Sequence, residues 1–257
     1  GLGDVYKRQA YVRTDSFFDN SPLASSGLPS KEELELLDVW KDQIPSEVFT
    51  ETFTPPTTDG SGNDRKNLLK AKEILEKEGW IVENGKLFKD GQEFKFEFLI
   101  VSPSDEKIAL AYQSNLKKLG ITMDVRTVDS SQYQERLLSY DFDMIKRYWG
   151  VSLSPGNEQQ FYWGSEVGKK DGSRNYPGID SPAVDALIEK LINASNRQEL
   201  TTAIHALDRV LLWGHYVVPL YHSNKDRIAY WDFFEYPDEI PLYGIVIESW
   251  WINKDKQ

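Results

Sequence analysis

The chain has 257 residues, 40% of them hydrophobic, with 12 Phe, 13 Tyr and 8 Trp, enough for one or two domains with a real core. A formal net charge of -11 argues against nucleic acid as a partner, since phosphate would be repelled over most of the surface, and favours a neutral or cationic ligand. The absence of cysteine excludes thiolate catalysis, disulfides and Cys-based metal sites, and no run of about 18 apolar residues is present to span a membrane.

Asp4-Val-Tyr-Lys-Arg-Gln9 is the translation of a transposase adaptor end, so residues 1–9 are read as a scar and the chain as a C-terminal fragment. Ser30-Lys-Glu-Glu33 before Leu34, Leu36, Leu37 and Trp40 matches a capping box opening a short helix. Residues 52–64 read as loop, with Asp59 and Asp64 off calcium-loop spacing. A helix is predicted over 64–78, with Leu68, Ala71, Ile74 and Leu75 on its apolar face and Gly79 as its stop. Phe94 to Ile100 alternates as a strand, 105–119 is a helix closed by Gly120, and Ile121 to Arg126 is a second strand. A helix over 130–140 and a strand over 143–149 complete an α/β lobe. Ser181-Pro182 caps a helix carrying Val184, Leu187, Ile188, Leu191 and Ile192, and Asn196 with Glu199 starts another that Gly214 ends. Strands are predicted over 216–221 and 227–231, and in the apolar segment 243–252.

The three histidines, His205, His215 and His222, fit neither a His-Glu-x-x-His pattern nor a nucleophile triad, and His205 reads as a helical core residue. Asp141 and Asp143 share a strand face and could act as acid and base, although paired acids beside an apolar strand are more often solvated edge residues. No phosphate-binding glycine loop occurs, and no cofactor is expected. The loop after the third strand is the best binding candidate. Tyr148, Trp149, Phe161, Tyr162 and Trp163 bracket Ser152, Ser154, Asn157 and Glu158, offering ring faces, hydroxyls, an amide and a carboxylate to a peptide or sugar. The plainer reading of those rings is packing at a lobe junction.

The order of Glu78-Gly79-Trp80, Phe94 to Phe98, Leu119-Gly120-Ile121, Asp141-Phe-Asp-Met-Ile145 with Trp149, and Asn175-Tyr-Pro-Gly-Ile179 resembles the family 5 extracellular solute-binding proteins of ABC importers. Tyr11 to Phe18, Ser152 to Gln159 and Leu211 to Pro219 resemble its Yej-type branch, associated with oligopeptide and microcin C uptake. The resemblance implies a periplasmic binding protein-like α/β fold of type II, here a fragment with 10–150 as the second lobe and 151–257 as the crossover and the C-terminal part of the first lobe. It implies an oligopeptide or peptide-derived ligand, a permease partner in the inner membrane, a periplasmic location with the signal peptide lost upstream, and no catalysis. The expected ligand-binding residues are Tyr148, Trp149, Ser152, Ser154, Asn157, Glu158 and Trp163. One position departs from the family pattern: the aspartate usual three residues after the tryptophan, which pairs with a ligand α-ammonium, is Ser152 here, and Glu158 is the nearest substitute. Two other classes stay open, a carbohydrate-active enzyme fragment using a carboxylate pair and a structural adaptor using the loop's rings as an interface.

Overall fold

The computed structural model describes residues 11–58, 64–168, 170–241 and 244–256; the adaptor-like residues 1–9 and the loop residue Asp59 lie outside them. A two-residue strand β1 (Val12–Arg13) is followed by α1 (Lys31–Leu37) and a single turn α2 (Glu47–Thr50). Next come α3 (Arg65–Lys77), a meander of β2 (Ile81–Glu83), β3 (Lys86–Lys89) and β4 (Gln92–Glu93), then β5 (Lys95–Ile100) and α4 (Pro103–Lys117). After these lie β6 (Thr122–Thr127), α5 (Ser130–Leu138), β7 (Met144–Ile145), α6 (Glu158–Trp163) and α7 (Ser165–Gly168). The chain finishes with α8 (Pro182–Ile192), α9 (Arg197–Trp213) and the short strands β8 (Tyr221–His222), β9 (Phe234–Glu235) and β10 (Trp251–Ile252).

Helix starts follow local chemistry. Asp64 accepts from Asn67 N at 3.2 Å, Asp129 from Ser131 N and Gln132 N at 2.9 Å each, and Asn196 from Glu199 N at 3.0 Å while Glu199 reaches back to Ser195 N at 2.8 Å. Gly79 and Gly120 take φ of +85° and +82° as helix stops. Gly214 serves differently. The left-handed residue there is His215, at φ +51°, and a Cβ on Gly214 would stand 2.2 Å from the Tyr216 ring, so a close approach demands that glycine.

The strands β6-β5-β7 form a parallel sheet with β5 central, Phe98 opposite both Val125 and Met144. Helices cover both faces. Phe98 and Ile100 pack with Ala109 and Leu116 on one side, and Leu99 packs with Val128, Tyr133 and Leu137 on the other, so β5 is buried on two faces rather than one. In α3 the expected apolar face is only partly used: Leu75 joins the sheet's core, whereas Ile74 is exposed.

A second core lies on α8 and α9, where Val184, Leu187, Ile188 and Leu191 meet Ile204, Leu207 and Leu211. Residues 16–50, grouped by sequence with the sheet, pack into this core through Phe18, Leu23, Leu37, Ile44 and Val48. Two buried neighbours on α9 hold them. Asp208 accepts from Ser16 Oγ (2.8 Å), Phe17 N (2.8 Å), Ser25 N (2.9 Å) and Ser25 Oγ (2.7 Å). Arg209 donates to Glu33 Oε2 (2.6 Å), Gly27 O (2.7 Å), Ser26 O (2.8 Å) and Leu28 O (3.2 Å). Burial pushes the Asp208 carboxyl up, against the four donors that pull it back. Glu33, the expected reciprocal partner of the Ser30 cap, turns inward to Arg209 and to His205 Nδ1 at 3.5 Å, while Ser30 still accepts from Glu33 N.

Three predicted strands shorten. Only Met144–Ile145 of 143–149 pairs, because β5 ends at Ile100 and turns into α4, leaving no neighbour for the residues beyond. Only Tyr221 of 216–221 enters a ladder, with His222, antiparallel to β1, and 227–231 joins no ladder among the described residues. In the last segment, β10 pairs with β9 after one 3-10 turn over Ile247–Ser249, and Tyr243 lies outside the described residues. The meander β2-β3-β4 was missed although Asn84-Gly85 and Asp90-Gly91 announce its two tight turns, all four residues having positive φ.

Asp208→Ala strands four buried donors; it is expected to lower the unfolding free energy by about 3 to 5 kcal/mol in urea denaturation. Burial works to raise Glu33, but the bonds from His205 and Arg209 outweigh it and hold the carboxyl below its usual range, while the Glu33 hydrogen bond raises His205. A raised histidine contributes stability fully present below its unfolded value of 6.5 and lost as pH climbs through the higher folded value. Melting temperature is therefore expected to fall as pH rises through that window in the native chain, and His205→Gln is expected to flatten that slope.

Candidate functional site

Beyond β7 the chain leaves the carboxyl end of the parallel sheet, at the strand flanking the point where the connections reverse direction about β5. Open α/β sheets hold ligands at such a place. Side chains alternate across the emerging segment. Lys146 turns toward α4, where it pairs with Asp105 in that helix's first turn and lies 5.0 Å from the Tyr148 ring centre. Burial disfavours the Lys146 charge, but the bond to Asp105 prevails and raises its pKa. Arg147 turns the other way, its Cζ 4.7 Å from the Tyr176 ring centre and its Nη2 donating to Tyr176 Oη at 3.2 Å.

From Tyr148 to Ser152 the backbone runs on without entering any element, and among the described residues neither its N–H nor its C=O groups form a hydrogen bond. Arg197 Nη1 then ties the loop down at Leu153 O, 2.5 Å away, and Pro155 is buried. Tyr148 is 77% exposed and Phe161 56% exposed, so both rings face solvent. Trp149 is half-buried, tilted 38° against Trp163 with centroids 5.1 Å apart.

The expected site residues therefore separate. Tyr148, Ser152, Ser154 and Asn157 lie exposed along the loop, with Ser152 Oγ accepting from Ser154 N at 2.9 Å. Glu158, the first residue of α6, is turned back onto the loop, accepting from Gly156 N at 2.9 Å and Gln159 Nε2 at 3.3 Å. Trp163 is 2% exposed, donates through Nε1 to Gln159 Oε1 at 3.0 Å and meets the Phe17 edge at 5.0 Å, so its ring is core that backs Trp149. The carboxylate pair is occupied structurally: Asp141 Oδ2 accepts from Arg136 Nε (2.8 Å) and Asp143 Oδ2 from Glu97 N (2.8 Å). Among the described residues no three His, Asp or Glu side chains are grouped to hold a metal ion.

Sequence reasoning missed three residues. Asn175 is fully buried, donating to Gly164 O (3.0 Å) and Ile179 O (2.8 Å) and accepting from Ile179 N (2.9 Å), which fixes the loop that presents Tyr176. A polar residue inside Asn-Tyr-Pro-Gly is a turn signal but does not announce a long-range bond. Arg147 and Tyr176 carried no local signal, since 29 residues separate them.

Fold and loop together define a class: an α/β module whose candidate site is a rim of rings and free backbone beyond a parallel sheet. Residues 37–171 match the model for bacterial extracellular solute-binding proteins, family 5 middle, and the chain belongs to that family. It is 48% identical over 94% of its length to protein y4wM of Sinorhizobium fredii, and 43% identical over 95% to the Probable peptide-binding protein YejA of Agrobacterium fabrum. It spans 37% and 40% of those two relatives. Its fold matches the oligopeptide-binding protein AppA of Bacillus subtilis, solved with a nonapeptide, at a TM-score of 0.58 and 22% identity, over 87% of this chain and 45% of that one. No described helix is long and apolar enough to cross a membrane.

The different burial of the rings predicts a clean separation in stability. Trp163→Ala is expected to cost about 3 to 5 kcal/mol, as large aromatic deletions in cores do, whereas Tyr148→Ala should stay within about 0.5 kcal/mol of the native chain. Urea unfolding followed by far-ultraviolet circular dichroism checks both.

Proposed function

We propose that the protein is the substrate-binding component of an ABC importer, capturing an oligopeptide or peptide-derived ligand in the periplasm and passing it to a permease in the inner membrane. The observation that carries this reading is the backbone of residues 148–152, which forms no hydrogen bond among the described residues, together with the exposed rings of Tyr148 and Phe161. A peptide in extended form can add to such a segment as a strand, backbone bonds giving affinity independent of sequence while the rings take alternate side chains. The peptide-binding name of the Agrobacterium relative and the nonapeptide in the Bacillus neighbour support the same class of ligand. Trapping would follow from closure of this lobe on another, a population shift toward the closed form. The division into a second lobe and a return segment belongs to this reading. Residues 16–50 pack on the α8 and α9 core and so go with the return segment in place of the sheet, and the exposed apolar residues Ile228, Trp231, Ile240 and Ile247 beyond β8 support a return onto another lobe.

The carbohydrate-active reading loses ground because Asp141 and Asp143 are both engaged by structural donors. Protein expressed from its complete coding sequence, purified from a periplasm and denatured, is expected to release short peptides detectable by mass spectrometry in stoichiometric amount. Release of sugars, or of nothing after exposure to peptide mixtures, would overturn the peptide assignment.

A further inference from the structure

Glycine is costly where nothing requires it, because no residue loses more conformational freedom on folding. Most described glycines show the requirement. Gly79, Gly85, Gly120 and Gly178 are among those at positive φ. Gly164 and Gly168 are crowded: an added Cβ would stand 2.7 Å from Gln160 O and 2.7 Å from Asn175 Nδ2. Gly156 keeps an ordinary contact, with Glu158 Oε2 3.7 Å from its Cβ position and the same carboxylate holding its N–H. Gly150 alone among the described glycines has neither positive φ nor, its chain neighbours apart, any described atom within 4 Å of that position. It stands at the centre of residues 148–152, whose backbone forms no hydrogen bond among the described residues. Neither conformation nor packing within the described chain asks for glycine at the barest point of the loop.

We propose that Gly150 is the floor of a subsite for a bulky side chain of the bound peptide, which makes it a specificity-determining position. The inference rests on the peptide reading above. Where an extended segment pairs with 148–152, a glycine leaves a gap in the row of side chains, and a large, commonly aromatic, side chain of the partner strand covers such a gap. Covering it also shields the bare backbone from water, which strengthens the bonds made there. Tyr148, two residues back and 77% exposed, offers ring surface to the same group. The competing role is a flexible joint, for which glycine would be needed on account of its backbone freedom. The two roles differ in their response to volume: alanine and leucine restrict the backbone to a similar extent, but leucine fills far more of the gap.

The test offers a casein digest to protein expressed from its complete coding sequence, native and with Gly150→Ala or Gly150→Leu. Mass spectrometry reads the retained peptides, and urea denaturation gives the midpoint of each protein. The native protein is expected to retain peptides enriched in Phe, Tyr, Trp or Leu. Retention of these should fall about tenfold in Gly150→Ala and about a hundredfold in Gly150→Leu, the scale of one and of several excess methyl groups in a filled space. The peptides that survive should shift toward Gly, Ala and Ser. The urea midpoint of the alanine variant should hold or rise. An equal fall in both variants, with no shift in composition, makes Gly150 a joint and overturns the subsite. Native retention without the enrichment, or retention unchanged in both variants, overturns it too and leaves peptide binding standing. A lowered midpoint in Gly150→Ala shows that the protein itself fills the space, with the same consequence. No retention by the native protein overturns the peptide reading and the subsite together.

Discussion

Much of this structure depends on two adjacent buried charges, Asp208 and Arg209, which α9 carries into the core at 0% and 4% exposure. Successive residues on a helix point about 100° apart, so the pair addresses two different stretches of chain. Asp208 gathers Ser16, Phe17 and Ser25, while Arg209 gathers Ser26, Gly27, Leu28 and Glu33. Asp208 is held by four donors against a burial that still raises its carboxyl, Arg209 is held by four acceptors, and removing one partner would strand the rest. Residues 16–33, a turn-rich stretch and the start of a seven-residue helix, thereby acquire a fixed place that their own propensities could not provide. The fixed stretch then delivers Phe17 to Trp163, and Trp163 backs Trp149. The clamp reaches the candidate site through three rings.

At the sheet, the geometry of the site follows from unequal strand lengths. β5 is buried on both faces and ends where Ser102 caps a 15-residue helix. β7 pairs for two residues and then outruns its neighbour. A strand that continues past its partner exposes backbone donors and acceptors, which water satisfies in the free protein and a ligand backbone can satisfy in a complex. Arg197 at Leu153 O and the buried Pro155 keep that overhang from collapsing onto the surface.

What was legible in the sequence was local. The caps at Ser30, Ser181 and Asn196, the stops at Gly79 and Gly120 and the periodic faces of α8 and α9 all sit where the residues indicate, because each depends on neighbours within one turn of helix. The loop beyond Trp149 was also legible, as a change from apolar strand to Ser, Pro, Gly and Asn, although pairing already ends at Ile145. Strand ends were not, since pairing is decided by a partner distant in sequence and apolar residues such as Val217 and Ile245 carry the same pattern paired or unpaired. Glu33 shows why a correct local reading can miss the larger role. Its position three residues after Ser30 is that of a capping-box glutamate, yet Arg209, 176 residues later, offers a charged partner in a buried setting and takes the side chain. Trp163 was misread for a related reason: an aromatic beside a polar loop looks the same in sequence whether Phe17 covers it or solvent does.

Net charge illustrates the same limit for function. A total of -11 describes what a distant ligand feels, and at physiological salt that field fades over about 8 Å. Within a site, the nearest groups decide. Around the end of β7 the acids are committed: Asp105 to Lys146, Asp141 to Arg136 and Asp143 to the Glu97 amide. Glu158 accepts from Gly156 N on the loop and from Gln159 Nε2 beside it on α6. Arg147 lies on the Tyr176 ring and is bonded to the Tyr176 and Tyr133 hydroxyls. The net charge sets approach and solubility, while the groups at the end of β7 set what a ligand meets there.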